Sequence, residues 1–448
     1  MKHYKYFLSF LVTICLFTVS YGQDTAKLNQ YFDQLAKFNK AMLSVSVYKK
    51  NVPMYAKSIG YASVEQNLKN NAETKFRIGS ISKTFTATLI FQLIEEKKLS
   101  LETKLSKFYS KIPNADKITI AQMLNHSSGI YSFTSDENYL TYYQSELSKK
   151  DILQKIANFK PAFQPGEKSE YSNSNYVLLG FIVEELSKKP YNEILNERII
   201  TKLGLTRTNY GGAIKPESNE AFSYKFIDNK WVKEPETNMS IPGGAGALVS
   251  TPSDLNKFYA ALFQGKLVGE TSLTEMKTLN NGFGKGLFPI PFFAVSGFGH
   301  GGSIDRFNSQ AAYFANDSLA ISITTNGLEY SLNEILKTIL FAYYKMPFEI
   351  PDFSIQFIDI PVAELEKYVG IFASPQIPIK ITFFVSEGKL FAQGDGQQAL
   401  KLDAVSTSEF RFEQAGIVIQ FQKNAAGEIN YSEFLLKQGG GVFNFKKQ

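Results

Sequence analysis

The chain has 448 residues, 44% of them hydrophobic and 20% charged, the balance of a soluble globular protein rather than a disordered or membrane one. That length suggests two domains rather than one core. The formal net charge of +6 comes from 48 basic and 42 acidic side chains with no basic stripe, which argues against a nucleic-acid partner.

Residues 1–22 read as a secretory signal: Lys2, His3 and Lys5 give the positive start, Phe7 to Val19 the apolar stretch, and Ser20, Tyr21 and Gly22 the small-residue end. The mature chain would begin at Gln23, and losing Lys2 and Lys5 would take the charge from +6 to +4. The expected location is periplasmic or secreted, with no stable membrane insertion after cleavage. The alternative, a retained anchor, is disfavoured because the apolar stretch is short for a bilayer span. Cys15 is the only cysteine. Ile14 before it is not the small residue a lipoprotein signal usually has. A mature chain without cysteine forms no disulfide and relies on core packing.

Leu28, Tyr31, Phe32, Leu35 and Phe38 predict a helix over 26–39. Leu43 to Tyr48 alternates, Lys49 to Pro53 turns and Met54 to Tyr61 returns, which predicts a hairpin. Over 80–96, Ile81, Phe85, Leu89 and Leu93 recur at four-residue spacing in a helix too apolar to lie on the surface. The stretch 100–280 is mixed and helix-rich. Gln310 to Phe314 and Leu319 to Thr325 flank the turn candidate Asn316–Asp317, and an amphipathic helix is predicted over 332–344. The two hairpins are expected to join in one antiparallel sheet, with the helix-rich middle as an inserted lobe and a cleft between lobes. Pro347, Pro351 and Pro361 mark 346–362 as a linker. From 363 to 448 the pattern is all-β, a small meander or barrel with strands at Ile379–Val385, Lys389–Gln393, Leu400–Val405, Glu409–Glu413, Ile417–Gln422 and Tyr431–Lys437. The fold class expected is α/β (α+β), with a domain over 26–345 and a β-rich accessory domain.

Three segments could carry chemistry. Ser80-Ile81-Ser82-Lys83 places a lysine three residues after a serine at a helix start, so both share one face. The helix N-terminus favours negative charge on the serine oxygen, and desolvation would lower the lysine pKa until it acts as a base. The alternative is a serine cap with an unrelated lysine. Tyr171-Ser172-Asn173 follows a Pro165-Gly166 turn. A tyrosine beside a lysine can shuttle a proton, and an amide can bind a carbonyl and orient the lysine, although Tyr171 could be packing and Asn173 a cap. In His300-Gly301-Gly302-Ser303, paired glycines let a strand backbone approach a substrate, and a backbone N–H there could join that of Ser80 in an oxyanion hole. The alternative is a glycine-rich loop with a structural histidine. His126 is read as loop-fixing, and Thr251-Pro252-Ser253-Asp254 as a helix start. No residue cluster has metal-ligand spacing, and no glycine loop suits a nucleotide, so neither metal nor cofactor is expected.

In this order the three segments say more than any one alone. Phe76-Arg-Ile-Gly-Ser-Ile-Ser-Lys-Thr-Phe-Thr-Ala, Glu170-Tyr-Ser-Asn-Ser-Asn-Tyr and Gly299-His-Gly-Gly-Ser resemble the broad class C β-lactamase-like serine hydrolase family, which includes cephalosporinases, D-alanyl-D-alanine carboxypeptidases, D-aminopeptidases and esterases. Ile118-Thr-Ile-Ala-Gln-Met-Leu-Asn-His-Ser-Ser-Gly, Leu203-Gly-Leu-Thr-Arg-Thr and Gly244-Ala-Gly-Ala-Leu-Val-Ser-Thr-Pro-Ser-Asp-Leu extend the resemblance over 26–345. It implies Ser80 as the acylated nucleophile, and Lys83 and Tyr171 as the base system. Asn173, His300, Gly302 and Ser303 would contact the substrate, with the N–H groups of Ser80 and Ser303 on the oxyanion. The implied substrate is a small molecule or a peptide from the cell wall. The chain departs from the family's β-lactamases at His300-Gly301-Gly302, where those have Lys-Thr-Gly. The lysine that clamps a substrate carboxylate is then missing, and Arg306 is the candidate replacement. A binding protein that kept the fold without the chemistry is the rival from another class.

Overall fold

The computed structural model describes residues 21–448, positions 425, 439 and 440 excepted, so most of the expected signal lies outside the described residues. Helix α1 (Tyr21–Lys37) leads into the hairpin β1 (Ala41–Lys49) and β2 (Val52–Ile59). Helix α2 (Ser82–Glu95) follows, then the helix-rich stretch with α3 (Ile120–Leu124), α4 (Tyr139–Tyr142), α5 (Asn173–Ser187) and α6 (Pro252–Phe263). The chain returns to the sheet in β3 (Phe288–Phe292), β4 (Val295–Ile304), β5 (Phe307–Phe314) and β6 (Leu319–Leu328), and α7 (Leu332–Tyr343) closes this part. The sheet is antiparallel, in the order β3-β4-β5-β6-β1-β2. The early and late hairpins are therefore neighbours, joined along β1 and β6 with Val45 opposite Ile323.

Helices cover both faces. Leu43, Val45 and Val47 of β1 pack against Leu28, Phe32 and Leu35 of α1 and Ile335 and Ile339 of α7. Alternation in β1 would suit a strand with one wet face, but Ser44 and Ser46 are buried as well. They lie under α6, where Asn256 donates to the Ser46 carbonyl and accepts from the Ser322 hydroxyl. Small side chains on this face let α6 approach, and Asn256 satisfies polar groups that burial would otherwise leave costly. On the same side, α2 and α5 form the largest apolar cluster, around Phe85, Leu89, Leu178 and Ile182. Thr251 caps α6 by accepting from the Asp254 N–H, with Pro252 in the first turn.

Between Tyr343 and Val362 the structure has no helix or strand. The rest is a nearly closed antiparallel sheet of nine strands. They are β7 (Gly370–Ala373), β8 (Lys380–Ser386), β9 (Lys389–Gly394), β10 (Leu400–Lys401), β11 (Asp403–Ser406), β12 (Glu409–Phe412), β13 (Ile417–Lys423), β14 (Ile429–Gln438) and β15 (Gly441–Lys447). Their order is β10-β9-β8-β7-β15-β14-β13-β12-β11. The two outermost strands are consecutive in the chain, separated by Leu402, and the preceding segment braces β11 through Ile358 N–H to the Ala404 carbonyl. Tyr368, Phe372, Phe383, Phe410, Phe421 and Phe434 fill the interior. This sheet rests on the α1 and α7 side, through Lys40 to Glu413 at 3.0 Å and the Tyr330 and Phe353 rings.

Candidate active site

Gly79–Ile81 form a 3-10 turn that runs directly into α2. The turn is pressed against β4 backbone to backbone. Gly79 has φ +50, and a Cβ there would sit 2.8 Å from the Ser303 nitrogen. A Cβ on Gly302 would sit 2.0 Å from the Ile78 carbonyl oxygen, closer than any side chain tolerates. Glycine at both positions is what brings Ser80 and Ser303 to the same cleft, of about 380 Å³, which both line.

Lys83 is fully buried on the first turn of α2. Its Nζ lies 2.9 Å from Ser80 Oγ, 2.8 Å from Asn173 Oδ1 and 2.8 Å from the Ala245 carbonyl. All three partners are uncharged, so nothing among them offsets the loss of water around an ammonium. Burial accordingly pushes the amine well below the ordinary lysine value. A neutral amine has two N–H groups and a lone pair. In that form the two fixed carbonyl-type acceptors would take the N–H groups and leave the lone pair for the Ser80 hydroxyl.

Tyr171 precedes α5, and its hydroxyl is hydrogen-bonded with Ser80. Burial pushes the phenol up, only partly countered by that bond. The Lys83 Nζ stands 4.9 Å from the Tyr171 ring centroid. Asn173 opens α5 and is held on every side. Its amide donates to Thr134 Oγ1 at 2.8 Å, its oxygen accepts from Lys83, and its backbone N–H donates to Ser132 Oγ at 3.1 Å. Ser80, Lys83, Tyr171 and Asn173 thus converge from two helix starts.

His300 is also brought to this cluster, behind Tyr171. The ring is 4% exposed, with its centroid 6.5 Å from that of Tyr171 and 4.9 Å from Phe288. Its Nδ1 lies 2.5 Å from the Gly301 carbonyl, and Nε2 has no hydrogen-bond partner among the described residues. Burial, then the nearby Lys83, pushes its pKa down to about 3, so the imidazole is neutral. Ser303, Ile304 and Arg306 line the cleft; the His300 side chain does not.

Sequence reasoning overlooked the anchor of this edge. Arg77, three residues before Ser80, is buried and donates from Nη1 to Asp305 Oδ2 at 2.8 Å and to the Thr237 carbonyl at 2.9 Å. Its Nη2 donates to the Gly212 carbonyl at 2.9 Å and Glu236 at 3.0 Å. Asp305, at φ +54 in the turn after β4, also accepts from the Thr237 N–H and hydroxyl. The remaining walls come from Thr134, Tyr139, Leu140, Tyr143, Pro235 and Pro242, with Glu234 and Arg306 3.9 Å apart beside them. Among the described residues no group of three or more His, Cys, Asp or Glu side chains could hold a metal ion.

The fold brings Ser80, Lys83, Tyr171 and Asn173 together at one end of the cleft. Residues 28–340 match the family model described as Beta-lactamase. The chain belongs to the beta-lactamase family. Relatives of this beta-lactamase-family chain include PbpX of Bacillus subtilis, 32% identical over 237 residues, which are 52% of this chain and 59% of PbpX. The match therefore spans about three-fifths of that relative's length. Among solved structures, the D-stereospecific amidohydrolase from Streptomyces is 26% identical, with a TM-score of 0.64 over 72% of this chain and 99% of that one. The penicillin-binding protein homologue from Pyrococcus abyssi, 23% identical with a TM-score of 0.66, shares the fold over 95% of this chain and 100% of its own.

Proposed function

We propose that this protein is a secreted serine hydrolase that forms an acyl-enzyme at Ser80 and hydrolyses a small ester, an amide or a D-residue-containing peptide. The observation that carries this reading is the buried Lys83, whose Nζ lies 2.9 Å from Ser80 Oγ and whose amine burial pushes well below the ordinary lysine value. Lys83 takes the Ser80 proton as the oxygen attacks the substrate carbonyl. The carbonyl oxygen becomes an oxyanion, received by the N–H groups of Ser80 and Ser303. With its phenol held protonated by burial, Tyr171 passes a proton to the leaving group and is replenished from Lys83. Water then attacks the ester carbonyl on Ser80, giving up a proton to the same pair, which passes a proton to the Ser80 oxygen as its bond to the acyl carbon breaks and the acid leaves.

The apolar wall of Tyr139, Leu140, Tyr143 and Pro235 supports an uncharged, bulky group on the substrate. Likeness to a D-stereospecific amidohydrolase supports amides of D-residues. Export rests on the signal-like composition of residues 1–22. A second reading, hydrolysis of cephalosporins, draws on Arg306, half exposed at the cleft and only loosely paired with Glu234. The loss of the Lys-Thr-Gly lysine opposes it, because His300 is buried away from the cleft and neutral, and so supplies no charge for a carboxylate. Steady-state kinetics on p-nitrophenyl acetate, D-phenylalanine amide and nitrocefin tests the choice. The expected result is a higher kcat/KM for the ester or the amide than for nitrocefin. Far better hydrolysis of nitrocefin would transfer the reading to the β-lactamase alternative.

A further inference from the structure

His126 is singled out in the sequence, and the mechanism above leaves it unused. It follows α3 in the left-handed region at φ +59, a conformation uncommon for a side chain with a Cβ. Its neighbours explain why that conformation persists. The Glu170 N–H donates to the His126 carbonyl at 2.9 Å. The Ser172 N–H donates to His126 Nδ1 at 3.1 Å. Between these two residues lies Tyr171, and its ring stacks on the His126 imidazole with centroids 4.4 Å apart and planes 24° from parallel. Backbone, ring nitrogen and ring face of one residue thus grip the chain before, after and at the tyrosine.

Resting on the assignment of Tyr171 as a proton carrier, we infer that His126 is a positioning residue that fixes the Tyr171 hydroxyl against Ser80. The reach is short. An extended backbone with a free side chain would let the phenol rotate about two torsions, and proton transfer needs the donor within hydrogen-bond distance. A displacement of about 1 Å is enough to cost on the order of 10²-fold in rate. Nδ1 accepts from Ser172 only while it carries no proton, which fixes the tautomer with hydrogen on Nε2. Burial, helped by Lys83 and His300, pushes the His126 pKa well below its ordinary value, so the acceptor stays available. The same loop ties down the rest of this segment. The Ser127 carbonyl accepts from Gly166 N–H at 2.8 Å, and Ser128 Oγ donates to Asn175 at 2.6 Å.

The test is a double-mutant cycle on the full chain with an unactivated alkyl ester such as ethyl butyrate, whose alkoxide leaving group needs the proton Tyr171 supplies, read as kcat and KM separately. His126→Phe keeps a ring on Tyr171 but removes the acceptor for Ser172. It should lower kcat by about 10- to 100-fold with KM little changed, the signature of an interaction that matters in the transition state. His126→Asn, whose side-chain oxygen can stand where Nδ1 stood and whose backbone tolerates the left-handed region, should recover most of that loss. In a Tyr171→Phe background His126→Phe should add less than about threefold, because a residue that acts through Tyr171 has nothing left to position. An equal loss in both backgrounds, or no loss in either, overturns the inference. If His126→Phe fails to fold, His126→Asn and His126→Ala are compared in the same two backgrounds with the same criterion. Full turnover by Tyr171→Phe would remove the assignment of Tyr171 and the inference with it.

Discussion

Lys83 Nζ stands 2.9 Å from Ser80 Oγ, and both of its other partners, Asn173 Oδ1 and the Ala245 carbonyl, are neutral acceptors. In the proposed mechanism that relationship supplies a base without a carboxylate or a histidine. It also makes the chemistry depend on pH in a definite direction.

Burial lowers the Lys83 pKa, so the ammonium gives way to the amine at a lower pH than in an exposed lysine, and acid restores the ammonium. The kcat/KM for an uncharged ester should therefore fall as pH is lowered, along a one-proton limb. His300, at about 3, adds no step between pH 5 and 8. Lys83→Arg, which stays protonated, should lose at least about 10²-fold of activity and lack that limb. A limb of unchanged position in Lys83→Arg would assign it to another group.

The same shift acts on stability. Between the lowered native value and the ordinary lysine value of 10.5, the unfolded chain binds a proton that the native chain does not. More protons on the unfolded side mean that stability rises with pH in that window. Urea unfolding of the wild type and Lys83→Met between pH 7 and 10 should show this extra upward slope in the wild type only. Parallel curves would contradict the neutral amine.

Gly302 and Gly301 separate steric need from composition. A Cβ at Gly302 meets the Ile78 carbonyl at 2.0 Å, whereas at Gly301 the nearest atom, 3.1 Å away, is the end of the Gln310 side chain. Gly302→Ala should cost about 2 kcal/mol or more and most of the activity, since overpacking against backbone cannot relax locally. Gly301→Ala should stay within about 1 kcal/mol, the Gln310 chain moving aside. Thermal melts and ester turnover on the two variants check this, and equal effects would contradict it.

Arg77 and Asp305 each keep only 1% of their side chain exposed. Asp305→Ala leaves a buried guanidinium without its full partner, which typically costs about 3–5 kcal/mol. The expected outcome is a urea midpoint lowered accordingly, together with reduced turnover, because Ser303 and Arg306 flank that anchored turn. A variant with unchanged stability would mean that Glu236 alone suffices for Arg77.

Much of the site was readable because its chemistry is local. Ser80 and Lys83 are three residues apart, and Tyr171 and Asn173 two, so the chain itself fixes their mutual reach. Arg77 and Asp305 are 228 residues apart, and nothing in either neighbourhood marks one as the other's partner. His126 was visible as a loop residue, yet its grip on Tyr171 depends on the fold that brings residues 126 and 172 together. In the sheet, alternation found β1, but burial of Ser44 and Ser46 under α6 follows from the second helical layer. The strands missed in the final β region, β7 and β15, are short or begin at glycine. They exist as strands because Phe372 pairs with Lys447 in the interior of the sheet order, joining its two halves.

All residues that line the cleft fall between Gly79 and Arg306. The nine-stranded region contacts the α1 and α7 side, on the other face of the central sheet. A chain ending at Lys345 should still react at Ser80, with a lower melting temperature because the apolar surface around Tyr330 and Phe341 loses the cover of Phe348 and Phe353. A folded but unreactive truncation would show that the β region completes the site.

The central claim, that Ser80 is the nucleophile, is tested most directly by the mass of the covalent adduct. Treated with a fluorophosphonate, the wild-type protein should gain one phosphonyl group per chain, mapped by peptide sequencing to Ser80, while Ser80→Ala with an unchanged melting curve should gain none. Equal modification of Ser80→Ala, or an adduct on another residue in the wild type, would contradict the account.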